Sequence, residues 1–142
     1  MITLRPVRPE DVHWLVDLRV ATMDGYLRAS GENLTRADQE ARVAYAFDDI
    51  RVVEDEAEAV GMIKVTRSPD VWKLVQIQMV PDRQGRGIGT QLIRALQEEA
   101  QALGRAIELS VLNVNPALRL YERLGFTVVE RKQRSTTMRW VP

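Results

Sequence analysis

Leu74-Val75-Gln76-Ile77-Gln78-Met79-Val80-Pro81 runs directly into Asp82-Arg83-Gln84-Gly85-Arg86-Gly87-Ile88-Gly89-Thr90, and the reading of these two segments decides the fold. The first belongs to an alternating run, Trp72 to Val80, that reads as a strand; Pro81 ends it because proline cannot donate to a ladder. The second places glycines at alternate positions 85, 87 and 89. From Gly87 to Leu103 the chain reads as a helix, with Ile88, Leu92, Leu96 and Leu103 along one side and Gly104 as its stop. The product is strand, glycine turn, helix. Such a turn lets backbone approach a ligand with no Cβ in the way. The helix that follows supplies unpaired N–H groups and the positive end of its dipole. Together they make an anion site suited to phosphates, with Arg83 or Arg86 adding charge at its rim.

Two other glycine loops are tested by spacing. A dinucleotide fingerprint requires G-x-G-x-x-G, but counting from Gly85 the last position is Thr90, and from Gly87 it is Leu92. A P-loop requires Gly-Lys-Ser/Thr, which occurs nowhere in the chain.

Outward from this centre, Ile2 to Arg5 reads as a short strand. Pro9-Glu10-Asp11 opens a helix to about Met23, since proline suits a first turn and acids suit a helix N-terminus. Gly25 and Ser30-Gly31-Glu32-Asn33 punctuate the chain. Thr35 with Asp38 caps a second helix, whose apolar face is read as Ala41, Ala44, Tyr45 and Phe47. Ile50 to Val53 and Ala59 to Val65 form a hairpin around Glu54-Asp55-Glu56. After the long helix, Ile107 to Leu112 is a buried strand and Pro116 to Leu124 a short helix ended by Gly125. Phe126 to Glu130 and Thr136 to Val141 close the chain as an antiparallel pair. The order β-α-α-β-β-β-α-β-α-β-β defines an α+β fold: a mixed, mostly antiparallel sheet of six or seven strands with about four helices, in which one strand after the long helix runs parallel.

The 142 residues, 45% of them apolar, suit one domain over 1–142. Twenty basic and twenty acidic residues balance, so no nucleic-acid partner is expected. The absence of cysteine removes disulfides, thiolate metal sites and a Cys nucleophile, and no metal is expected. No apolar run approaches the roughly 20 residues of a membrane helix, and Met1 to Pro6 lacks the apolar core of a signal peptide. A cytoplasmic location with no membrane partner is the expectation. His13 is the single histidine; beside Trp14 on the first helix it reads as a surface or packing residue.

Gln84-Gly85-Arg86-Gly87-Ile88-Gly89 resembles the acyl-coenzyme A loop Q/R-x-x-G-x-G/A of the GCN5-related N-acetyltransferases (GNAT), matching at Gln84, Gly87 and Gly89. Downstream, Asn113 to Phe126 resembles that family's second signature, N-x-x-A-x-x-L-Y-x-x-x-G-F. Ala117, Leu120-Tyr121 and Gly125-Phe126 fit it, and either Asn113 or Asn115 takes the leading position, each one residue off the family spacing.

The resemblance implies a strand pair splayed into a V-shaped acyl-CoA cleft. Ile77, Gln78, Met79 and Val80 would flank the pantetheine arm and acyl group. The N–H of Met79 would polarise the thioester carbonyl. The amides of Gln84 to Thr90 (Gln84, Gly85, Arg86, Gly87, Ile88, Gly89 and Thr90) would hold the pyrophosphate, with Asn113 or Asn115 and Arg119 as further coenzyme contacts. Tyr121 matches the family's general acid. Gln76 stands where relatives often carry a glutamate base, and an amide takes no proton at neutral pH. Tyr26, Arg28 and Gln76 are candidates for the acceptor site. The implied activity is transfer of an acetyl group from acetyl-CoA to a primary amine of a small molecule or peptide. The alternative is a non-catalytic acyl-CoA binding or sensing module. The terminal strands offer an edge for a homodimer.

Overall fold

The computed structural model describes residues 1–142. The strands are β1 (Ile2–Pro6), β2 (Ile50–Asp55), β3 (Glu58–Arg67), β4 (Val71–Met79), β5 (Ala106–Leu112), β6 (Thr127–Arg131) and β7 (Ser135–Trp140). The helices are α1 (Val12–Ala29), α2 (Arg36–Ala44), α3 (Ile88–Ala102) and α4 (Ala117–Arg123), with short 3₁₀ turns before α1, β2 and the glycine loop. All seven strands form one sheet in the order β1-β2-β3-β4-β5-β7-β6. Every pairing is antiparallel except β4 with β5. The expected α+β order and the single parallel pair are both present.

Two apolar layers sandwich the sheet. On one face, Leu92, Ile93 and Leu96 of α3 pack with Val65, Leu74, Ile107, Leu109 and Met138, and the layer takes in Tyr121 and Phe126. On the other, Leu15, Val16 and Leu18 of α1 and Val43 of α2 cover Ile50 and Met62. Arg5 anchors the entry to α1: its guanidinium binds both oxygens of Asp11 at 2.9 Å and Glu54 at 2.9 Å, joining β1, β2 and the 3₁₀ turn.

A bulge in β4 sets the chemistry of the sheet centre. Val65 pairs with Leu74, but Lys64 pairs with Gln76, so Val75 has no partner in β3. Neighbouring residues of a strand face opposite sides, and one inserted residue reverses that assignment beyond it. Leu74 therefore faces the α3 layer with Val65, while Gln76 and Gln78 turn with Lys64 and Met62 towards α1 and α2. Both glutamines are buried, where alternation alone allowed a half-exposed strand face.

The same bulge precedes the separation of the parallel strands. β4 and β5 pair only from Val71–Leu74 to Ala106–Leu109. Beyond that point β4 continues to Met79 and β5 to Leu112 without a shared ladder, which leaves a wedge between them. β3 holds β4 closely on its other side: a Cβ on Gly61 would lie 2.4 Å from the Met79 sulfur and 2.5 Å from the Gln78 carbonyl oxygen, so only glycine permits this approach.

Two sequence expectations are corrected. Gly25 does not end the first helix, which runs on to Ala29. The glycine costs about 1 kcal/mol relative to alanine, and the extra turn buries Leu27 completely. The inward face of α2 is not Ala41, Ala44 and Tyr45 but Gln39 and Val43, and Tyr45 is exposed. Polar partners decide this orientation. The Arg19 guanidinium donates to Gln39 Oε1 at 2.6 Å. The fully buried Lys64 ammonium donates to the carbonyls of Arg42, Val43 and Tyr45 at the C-terminus of α2, where the helix dipole favours a cation. The β2–β3 turn is also tighter than its acidic sequence suggested: Glu56 and Ala57 both adopt positive φ, the geometry of a two-residue hairpin turn.

Candidate active site

Two cavities meet in the wedge between β4 and β5. The larger, about 890 Å³, lies over the glycine loop and the start of α3. The smaller, about 370 Å³, lies under α1 and α2 between the separated strands. Met23, Ile77, Gln78, Asn115 and Tyr121 line both, so these residues form the junction.

The floor of the larger cavity is built by the backbone. Gly85 and Gly87 have φ of 74° and 80°, a conformation that side chains with a Cβ rarely adopt, and Gly87 caps α3. Gly85, Gly87, Ile88, Gly89 and Thr90 of this turn all line the cavity. The N–H groups of Gln84 and Gln91 bond to Pro81 and Gly87 carbonyls, but those of Gly85 through Thr90 have no acceptor in the protein. They form a row of donors at the positive end of α3. Gln84 braces the row: its Nε2 donates to the Met79 carbonyl at 3.1 Å, tying the loop to the end of β4.

The strand above the loop also presents unpaired donors. Val80 N–H bonds to Val60 O at 2.8 Å. In an antiparallel ladder successive residues direct their N–H to opposite sides. The N–H groups of Met79 and Ile77 thus point away from β3, towards the wedge where β5 has departed.

Tyr121 reaches the junction from α4. Its ring packs edge-on against Phe126 at 5.8 Å, an arrangement the Leu-Tyr…Gly-Phe spacing dictates by returning the chain under its own helix. Burial pushes the phenol up to about 12, because the anion would lose its hydration. The hydroxyl stays protonated throughout the ordinary pH range.

In the smaller cavity, Gln76 lines the wall and its Oε1 is buried with no hydrogen-bond partner. Arg19 of α1, Arg42 of α2 and Arg134 of the β6–β7 turn line the same space, with Glu32 as the one carboxylate. Glu32 lies 3.8 Å from Arg42. Burial, then the Arg42 charge, hold the Arg19 guanidinium down to about 10, with Glu32 opposing.

Gln76, Ile77, Gln78, Met79, Tyr121, Gln84, Gly85, Gly87, Ile88, Gly89, Thr90 and Asn115 all line one cavity or both. Tyr26 lines the larger cavity and not the smaller. Val80, Arg86, Asn113, Arg119 and Arg28 line neither. Asn113 is engaged elsewhere: it accepts from Thr136 Oγ1 and donates to the Lys132 and Gln133 carbonyls, fastening the β6–β7 turn. Asn115 caps α4 through Ala117 N–H at 2.9 Å. Arg28 is exposed and pairs with Asp24. Arg83 reaches the rim, but its charge is held by Glu58, Asp82 and Asp55; Arg123 also lines the larger cavity. Sequence reasoning missed Arg19, Arg42 and Arg134 as site residues. A signal for Arg19 was present: it falls on the helical stripe Val12, Leu15, Val16, Arg19, where an apolar residue is the norm.

A wedge between parallel strands, a row of unpaired amides at a helix N-terminus and a buried phenol meet where the two cavities join. The family model of the acetyltransferase (GNAT) domain matches residues 46–128, more than half of the chain, and the protein belongs to that family: it is an acetyl-CoA-dependent acetyltransferase. No curated protein sequence matches it. Its fold is similar to that of the PaiA N-acetyltransferase from Thermoplasma acidophilum in complex with coenzyme A, at 15% identity and TM-score 0.76 over 100% of this chain and 99% of that one. PH1933 from Pyrococcus horikoshii OT3 superposes at 21% identity and TM-score 0.79, covering 100% and 99%. The ribosomal-protein-S18-alanine N-acetyltransferase from Escherichia coli does so at 17% identity and TM-score 0.74, covering 99% and 94%.

Proposed function

We propose that this chain, acting as a single domain, transfers the acetyl group of acetyl-CoA to a primary amine by direct attack at the junction of the two cavities. The observation that carries the reading is two groups of unpaired backbone donors beside one cavity, the Met79 N–H at the end of β4 and the amides of Gly85–Thr90 in the glycine loop. The first suits a thioester carbonyl and the second a pyrophosphate. The wedge edge of β4 at Ile77 and Met79 offers the hydrogen-bonding edge along which a pantetheine amide chain can lie. Asn115 stands at the mouth of α4 on the coenzyme side, and Arg123 is placed to meet the coenzyme's charge.

The acceptor enters the smaller cavity as the neutral amine. One of its N–H groups donates to the unpartnered Gln76 Oε1, which orients the nitrogen lone pair towards the thioester. Attack forms the C–N bond while Met79 N–H stabilises negative charge growing on the carbonyl oxygen. As the C–S bond breaks, Tyr121 passes its proton to sulfur and takes one from the nitrogen. The nitrogen loses a proton, sulfur gains one, and Tyr121 ends as it began. This route uses no carboxylate base, which fits a glutamine at position 76.

Titration calorimetry with acetyl-CoA, coenzyme A, ATP and NAD tests the donor side. Thiol release across a panel of primary amines tests the transfer. Binding of ATP or NAD in place of coenzyme A would overturn the donor assignment, and acetyl-CoA binding without thiol release for any amine would overturn the transfer.

A further inference from the structure

We infer that the acceptor is a small amine carrying an oxyanion, a carboxylate or a phosphate, which the smaller cavity holds with Arg19 and Arg134. This rests on the proposed transfer and names its substrate class. Three arginines from three separate elements line that cavity, with one carboxylate among them. Glu32 serves Arg42 at 3.8 Å. Neither Arg19 nor Arg134 has a carboxylate within 4.0 Å, although the chain as a whole is neutral.

Arg19 is the telling group. It is 5% exposed, and its only side-chain partner is the neutral Gln39 oxygen. The charges acting on it are Arg42, which repels it, and Glu32, which favours it. Arg19 in turn disfavours the Lys64 ammonium. Burying a guanidinium without a counter-ion is costly, and guanidinium groups match planar oxyanions through paired donors. Arg134 comes from the β6–β7 turn, its guanidinium 3.7 Å from the position a Cβ would take on Gly31. The volume of about 370 Å³ suits a small molecule. The polar atoms that remain are arranged for an amine at one end, where Gln76 Oε1 stands unpartnered at the β4 wall, and for an anion at the arginines.

The test compares matched amines: amino acids of graded chain length, the decarboxylated amine of each, and phosphoethanolamine against ethanolamine. Turnover is read by thiol release, and binding to the coenzyme A-bound protein by calorimetry. Oxyanion-bearing amines should exceed their neutral partners in kcat/KM by about tenfold or more, as expected when a charge-assisted hydrogen bond is lost. Arg134→Gln, at a solvent-exposed position, should remove most of that preference, seen in KM as a larger loss for the oxyanion-bearing amines than for their neutral partners. Arg19→Gln should do the same, with folding checked by circular dichroism. The carboxylate and phosphate arms decide between the two oxyanions. Equal or better turnover of the neutral amines would overturn this inference and leave the transfer standing. Absence of turnover with every amine would overturn the transfer, and the calorimetric preference would then decide the inference by itself.

Discussion

At the residue scale, Tyr121 and Gln76 are the informative pair. A buried phenol at about 12 can give a proton and recover one without resting as the anion, and an amide at 76 can orient an amine without removing its proton. Tyr121→Phe should preserve the edge-on packing against Phe126 and lower kcat by about 10²-fold or more, with little change in coenzyme affinity. Steady-state kinetics beside calorimetry separates the two, and unchanged kcat would remove Tyr121 from the reaction. The pH profile follows from the same assignment. kcat/KM should rise with pH as the acceptor amine loses its proton, between about 7.7 and about 10.4 according to amine type. No falling limb should come from Tyr121 below about pH 11. A fall through neutral or mildly alkaline pH would place the proton donor elsewhere.

At the element scale, α2 is positioned by Lys64 more than by its own sequence. The ammonium gathers three carbonyls at the helix C-terminus, and burial lowers it to about 8 from 10.5. Lys64→Met keeps much of the volume but strips those carbonyls of their donor, and should cost about 1–3 kcal/mol at pH 7. Between pH 8 and 10.5 the unfolded chain holds the lysine proton and the folded chain does not. Wild-type stability therefore gains from this group as pH rises through that window. The methionine variant lacks the titration, so its deficit should widen from pH 7 to pH 10. Urea unfolding at both pH values reads the difference, and a deficit that stays constant would show that Lys64 is not held near 8. The Val75 bulge belongs to this scale too: it turns Gln76 and Gln78 towards α1 and α2, just where β4 and β5 stop pairing beyond Leu74.

At the scale of the whole molecule, the larger cavity brings together parts from across the chain: α1, the end of β4, the glycine loop, α3 and α4 all line it. A ligand that bridges them should stabilise the entire fold. Coenzyme A at about 100 times its Kd should add about 2.7 kcal/mol, which for a domain of this size raises Tm by several degrees. ATP and NAD at the same concentrations should leave Tm unchanged if the wedge rather than the loop alone confers recognition. Differential scanning calorimetry measures both, and equal shifts would reduce the site to a general phosphate cradle.

The amino-acid sequence by itself determined the element order, the parallel strand after α3, the glycine turn at Gly85–Gly89 and the Tyr121–Phe126 return. Each is a local matter of periodicity, backbone permissiveness or short spacing, so neighbouring residues carry the signal. Through the family resemblance it also singled out Gln76, a glutamine where relatives often carry a glutamate. Only the tertiary structure decided which face of β4 the glutamines occupy, because one unpaired residue reverses that face and pairing with β3 selects it. Tertiary contacts likewise set the inward face of α2, the engagement of Asn113 with the β6–β7 turn, and the meeting of Arg19, Arg42 and Arg134. Those arginines lie up to 115 positions apart along the chain. On a helix or in a turn each reads as an ordinary solvated charge, and only the closure of the sheet and its two helical layers brings them to one cavity.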